Sequence, residues 1–465
     1  MNPHELEQGR HQTTFVAAVP KDGEAHATRT TDRVRSFGVY VAALPRVCRS
    51  TATDFRKNDR AFALLTVGAI ALVVIPDLIT YLMVEHSPVL PPGEAQTSSD
   101  LPLAQLASLG GSAVLLALTA VVAAMRGHPD RDVTGLFVLL LAVNVPFLVS
   151  PQVPPPADLP KILLANLFVL AIWNVGAPIS GLKWVPYTVA AISVYSLIGG
   201  LIIPEFMMYN TASEKAIVAG WELAGPFGHA NVLGMYCALA FALVPLIPER
   251  RLRLAVGVIL AATMIAAASR TALIAAALVA MWWLFCWFRS IARISVRAAG
   301  TALVGVSAAL MFAVPFADWD PSAFTERALV WAESLKVWQQ SPAVGMGVNW
   351  FLNDAQQAAN IAKWAYVGTG HNMVVDTLVK SGLLGLAVLT LLLVAAIKST
   401  RALRIPSQQI ACFGYLIAFF VAATTEAVWA LLPNLQLFPI SGLIFAVMIV
   451  TRHEDVRGSR LDAPI

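Results

Sequence analysis

Two arginines and a histidine stand in a chain that otherwise keeps polar side chains out of its apolar segments. They are Arg270 in AAASRTALIAA, Arg327 in PSAFTERALVW and His371 in GTGHNMVVDTLVK. Arginine is a permanent cation whose planar fork suits phosphate oxygens. An imidazole, with an ordinary pKa of about 6.5, can accept a proton near neutral pH. Together these residue types suit a reaction that releases an anionic group while a hydroxyl acceptor loses its proton. Each also has a plainer reading. Arg270 can be a snorkelling arginine that marks a helix end, and His371 an incidental loop histidine.

Several further residues flank these three. Asn372 follows His371 at the mouth of an apolar run. Asp376 and Lys380 lie four apart on one helix face, where they can neutralise each other. In AGPFGHANVLG, Gly225, Pro226 and Gly228 make a turn, His229 sits at the lip of the next run, and Asn231 reads as that helix's cap. Gly345-x-Gly347 in SPAVGMGVNW permits a tight turn with close backbone approach, and a lone GxG is only a weak phosphate-binding signal. Asn372, His229, Gly345 and Gly347 join Arg270 and Arg327 as candidate substrate-binding residues. Glu426, in TTEAVWALLPN, is an acid with no assigned partner. No acidic signature for a metal appears near these residues, so neither metal nor cofactor is expected.

The elements that must position these residues are membrane helices. Of 465 residues, 57% are hydrophobic and 13% charged, whereas soluble domains carry roughly 25% charged residues. Apolar stretches near the ~20 residues that cross a bilayer recur about twelve times. They fall at 61–84, 102–125, 133–150, 161–178, 184–203, 230–248, 254–268, 271–288, 298–316, 372–397, 408–432 and 435–451. The class is all-α and polytopic, with a membrane domain over 61–451 between a polar cytoplasmic arm (1–60) and a cytoplasmic tail (452–465). The first apolar run starts too late and is too long for a cleaved signal peptide.

Orientation follows from the basic residues, since translocated loops are poor in them. With the N-terminus inside, inner segments hold 25 of the 32 Lys and Arg and outer segments hold 6, with Lys380 inside a span. Both termini are then cytoplasmic, and the outer side receives a large loop over 317–371. The net charge of +4 reflects that inner bias, so nucleic acid is not an expected partner. Within the loop, Asp320-Pro321-Ser322 signals a helix start. From Phe324, the residues Phe324, Ala328, Trp331, Leu335 and Trp338 form one apolar face, as in an amphipathic helix at a membrane surface.

In this order the stretches GPFGHANVLG, SRTALIAA, ERALVWAESLKVWQQSPAVGMGVNWF and GHNMVVDTLVKSGLLGL resemble the O-antigen ligase and O-antigen polymerase superfamily over roughly residues 180–400. The resemblance implies a GT-C-like, metal-independent membrane glycosyltransferase. Such an enzyme passes a glycan from a polyprenyl diphosphate carrier to a lipid, glycan or protein acceptor on the outer face of the cytoplasmic membrane. It also implies that Arg270 is the turn arginine, Arg327 the loop-helix arginine and His371 the histidine of the HN stretch. Lys380 departs from the family, where an acid is frequent, and is given no catalytic role. Three alternatives stay open: a polymerase of the same superfamily, a transporter or flippase of lipid-linked oligosaccharides, and a cell-wall polymerase that would instead depend on Asp318, Asp320 or Asp354.

Overall fold

The computed structural model describes residues 60–80, 82–83, 89–90, 102–124, 133–151, 159–176, 178–211, 217–218, 220–292, 294–352, 368–428 and 437–450. The expected arm (1–60, apart from Arg60) and tail (452–465), together with Asp354, lie outside the described residues. Each of the twelve apolar stretches carries a helix. In chain order these are α1 (Arg60–Thr80), α2 (Pro102–Ala124), α3 (Val133–Leu148), α4 (Leu159–Val175), α5 (Trp184–Ile202), α6 (Ala230–Ala242), α7 (Arg250–Ala266), α8 (Arg270–Ala292) and α9 (Val296–Ala313). After the loop helix α10 (Arg327–Trp338) come α11 (Met373–Ala402), α12 (Pro406–Thr425) and α13 (Gly442–Val450). Among the described residues, seven helices are long and apolar enough to cross a membrane, namely α1, α2, α5, α8, α9, α11 and α12, and the protein is a multi-pass membrane protein. A short sheet adds to the helices: β1 (Val89–Leu90) pairs in parallel with β2 (Met208–Thr211), which pairs antiparallel with β3 (Trp221–Leu223).

α12 is the hub. It packs on α6, α8, α9 and α11, and its sequence is apolar on every side, as a helix surrounded by other helices requires. Phe413, Tyr415, Phe419 and Phe420 are fully buried. Between helices in lipid, the attraction is close packing rather than escape from water. Accordingly α9 places Gly300 against the Phe413 ring, where a Cβ would come within 2.6 Å of it. The indole of Trp282 on α8 donates to the Ile410 carbonyl of α12 at 2.9 Å. These contacts anchor the N-terminal half of α12, and Thr425 and Glu426 emerge at its other end.

The loop helix differs from its sequence expectation. Phe324, Thr325 and Glu326 adopt left-handed backbone, with φ of 55°, 61° and 66°, so the helix starts at Arg327 rather than Phe324. It is docked on α11 rather than lying free at an interface: Ala328, Val330, Trp331 and Ser334 are buried, and Trp331 is only 1% exposed. Asp320 accepts hydrogen bonds from the backbone and hydroxyl of Ser322, an Asx turn that ends before the helix.

Gly345-x-Gly347 packs against a transmembrane helix. Both glycines are buried, and Gly345 (φ 72°) lies against the backbone of α11 where that helix breaks at Gly382 (φ 61°). The break frees backbone groups that the loop satisfies: Leu383 N donates to Pro342 O at 2.9 Å, Leu384 N to Ala343 O at 3.1 Å, and Met346 N to Val379 O at 2.7 Å. The stretch around this pair thus clamps a kinked helix.

Candidate functional site at the end of α12

Arg327 and His371, 44 residues apart, meet at Glu426. Arg327 Nη2 donates to Glu426 Oε1 at 2.5 Å, and Nη1 to the Thr425 carbonyl at 2.6 Å. His371 Nδ1 lies 3.6 Å from Glu426 Oε2. Asn231 Nδ2 adds a longer contact to Oε1 at 3.4 Å. All three charged or chargeable side chains are partly sheltered, with 17%, 31% and 12% of the Arg327, His371 and Glu426 side chains exposed.

Burial alone would raise the Glu426 carboxyl. The charge of Arg327, joined by the contact with His371, outweighs it and holds the group at about 2. Glu426 is thus an anion at neutral pH, fixed between a cation and an imidazole.

Arg270 opens α8 as expected, with an exposed side chain. No described group pairs with that side chain, and it makes no described contact with Arg327 or His371. Its neighbour Thr271 shares a 2.8 Å hydrogen bond with Thr425, which sets the Arg270 turn beside the end of α12.

The turn that carries His371 is held from three directions. Gly370 N donates to Asp376 Oδ1 at 3.0 Å, His371 N to Thr369 Oγ1 at 3.3 Å, and Trp331 Nε1 to the His371 carbonyl at 3.3 Å. Asp376 is fully buried and its other oxygen binds Lys380 Nζ at 2.8 Å. The expected pair therefore forms, and it anchors the histidine's turn as well as its own helix. Asn372, expected to bind substrate, has its side chain engaged by the protein itself. Its oxygen accepts from Val374 N and Val375 N, and its amide donates to Met311 O and Thr424 O. Nothing on that buried side chain is left for a ligand.

Backbone strain marks the same place. Among the described residues, the non-glycine positions with positive φ are Ala268, Phe324, Thr325, Glu326 and His371. Every one lies within three residues of Arg270, Arg327 or His371, or is one of them. Left-handed conformations of such residues cost about 1 to 3 kcal/mol each and concentrate at functional sites.

Sequence reasoning missed Glu426 as a site residue and misassigned Asn231. The available signal was a lone acid at the end of a helix with no other reason to tolerate one. Its partners Arg327 and Asn231 are 99 and 195 positions away, distances that no local pattern spans.

The fold and this cluster define a multi-pass helical membrane protein with a cation, an imidazole and a carboxylate gathered at the end of its central helix. Residues 255–390 match the O-Antigen ligase family, and that segment contains Arg270, Arg327 and His371. The exopolysaccharide production protein ExoQ of Rhizobium meliloti (strain 1021) is 24% identical over 254 residues, a match covering 49% of this chain and 58% of the relative. The chain thus spans little more than half the length of that curated relative. In these stretches the chain is similar to the O-antigen ligase family and to a protein of exopolysaccharide production.

Proposed function

We infer that the protein transfers a glycan from a polyprenyl diphosphate carrier to an acceptor hydroxyl at the outer face of the cytoplasmic membrane. The observation that carries this reading is the meeting of Arg327 and His371 at one carboxylate, beside the Arg270 turn. Arg270 and Arg327 hold the diphosphate and balance the charge that grows on it as the sugar leaves. His371 takes the acceptor's proton. No metal has a role in this scheme, because the arginines supply the positive charge that a divalent ion would otherwise provide.

The test uses the full-length protein in proteoliposomes with lipid-linked glycan as donor. Arg327→Ala and Arg270→Ala should each weaken donor binding and turnover. Arg327→Lys, which keeps the charge but loses the fork, should fall between Arg327→Ala and wild type. Full activity in both alanine variants, with insertion confirmed, rules the reading out. Activity should also survive prolonged EDTA treatment, and strict dependence on an added divalent metal would contradict the scheme.

A further inference from the structure

Glu426 lies beyond the matched family segment, which ends at residue 390, yet it is the group at which Arg327, His371 and Asn231 meet. Its two oxygens have different occupants. Oε1 accepts from Arg327 and Asn231, which fixes the rotamer of the carboxylate. Oε2 is thereby turned toward His371 Nδ1, a buried nitrogen with no hydrogen-bond partner, 3.6 Å away. The histidine ring keeps 31% of its surface exposed, and Nε2 is not among the buried polar atoms that lack a partner. The Nδ1 edge of the imidazole is therefore turned into the protein, while part of the ring stays exposed.

We propose that Glu426 is the positioning residue for His371: its Oε2 accepts the Nδ1 proton, fixing the tautomer whose Nε2 lone pair faces the acceptor hydroxyl. This rests on the reading of His371 as the base. A carboxylate on one imidazole nitrogen determines which nitrogen carries the proton, so the other is left basic and correctly aimed. The gap of 3.6 Å shortens to a hydrogen bond when substrate closes the site, as such contacts commonly do on binding. In the step itself, the acceptor O–H breaks and its proton goes to Nε2. The oxygen pair forms the new bond to the anomeric carbon, while the bond from that carbon to the phosphate oxygen breaks and its pair remains on the diphosphate. Glu426 takes no proton. It stabilises the imidazolium until Nε2 releases its proton to water.

The geometry also separates this role from simple structural support. Arg327 keeps the Thr425 carbonyl as a second acceptor, so replacing the carboxylate with an amide of the same shape leaves the arginine held. The effect should then fall on the chemical step rather than on donor binding.

The test is a double-mutant cycle on the full chain in proteoliposomes, with polyprenyl diphosphate-linked glycan extracted from cells lacking the protein. Glu426→Gln should lower kcat by about 10-fold or more without raising the donor KM. In a His371→Gln background the same change should cost less than about 2-fold, because the group it positions is gone. Wild-type kcat in Glu426→Gln, with His371→Gln impaired, overturns the positioning role and leaves the base assignment standing. Equal losses in both backgrounds also overturn it, since they indicate a structural effect. A wild-type rate in His371→Gln removes the base reading itself. If Glu426→Gln fails to insert, Glu426→Asp replaces it: one methylene shorter, it should lower kcat in the His371 background only, and a loss independent of His371 is the overturning result.

Discussion

Two helices at the site begin with a histidine and an asparagine, and they use the pair in opposite ways. At α6, His229 is the N-cap, with φ −156° and ψ 135°, and its Nδ1 accepts from Asn231 N at 3.0 Å. Asn231 is then free to reach Glu426. At α11, Asn372 is the N-cap, with φ −157° and ψ 137°, and His371 is the member that faces Glu426. The backbone geometry is nearly identical. What differs is which side chain the first turn consumes, since unsatisfied N–H groups at a helix start must be capped by something. A polar pair at a helix lip therefore provides one structural and one available group, and the available member is the functional candidate.

The sharpest way to break this comparison is to remove the two histidines in turn. His371→Ala should lose about 10² to 10⁴ in turnover, the usual contribution of a general base, while the lipid-linked donor still binds. His229→Ala should cost about 1 kcal/mol of stability as a lost cap and leave most of the transfer rate. Rate measurements in proteoliposomes that found the two equivalent would erase the distinction.

The asparagines should show the reverse order, read in stability rather than rate. Asn372→Ala strips four hydrogen bonds from a buried site, and about 2 to 4 kcal/mol should be lost, seen as a fall in the unfolding midpoint in detergent. Asn231→Ala loses one long contact and should stay within about 0.5 kcal/mol of wild type. A larger destabilisation from Asn231→Ala than from Asn372→Ala would invert the assignment.

The smallest effect concerns the carboxylate that both available residues approach. Glu426 is held at about 2, below its ordinary 4.5, so its folded form binds a proton less readily than its unfolded form. Its contribution to stability is then complete above pH about 4.5 and is lost as pH falls toward 2. Detergent unfolding midpoints measured from pH 6 to pH 3 should drop more steeply for wild type than for Glu426→Gln. Parallel curves would mean that Glu426 is not held by Arg327 and His371 in solution.

Much of this molecule was legible in its sequence because lipid imposes a strong rule. A backbone in hydrocarbon must satisfy itself, so each long apolar run was expected to carry a helix, and among the described residues each does, seven of them long and apolar enough to cross a membrane. The same rule made Arg270 conspicuous between two apolar runs, whereas Arg327 and His371 stood out through the resemblance of their motifs. The loop was less legible. The apolar spacing from Phe324 fitted a helix, but the left-handed turn before Arg327 and the burial of Trp331 depend on docking against α11, a contact with no local signature. Gly345 and Gly347 looked like a phosphate loop because glycine reports only that backbone comes close to something. The structure shows that the neighbour is the broken backbone of α11 at Gly382.

The sequence by itself determined the apolar helices, since solvent acts locally, and its resemblance to a family singled out Arg270, Arg327 and His371 as candidates. Only the tertiary structure decided that Glu426, contributed by the far end of α12, stands between Arg327 and His371. Which oxygen meets which partner is set by the packing of α12 against α6, α8, α9 and α11, and that packing depends on side-chain shapes brought together from across the chain.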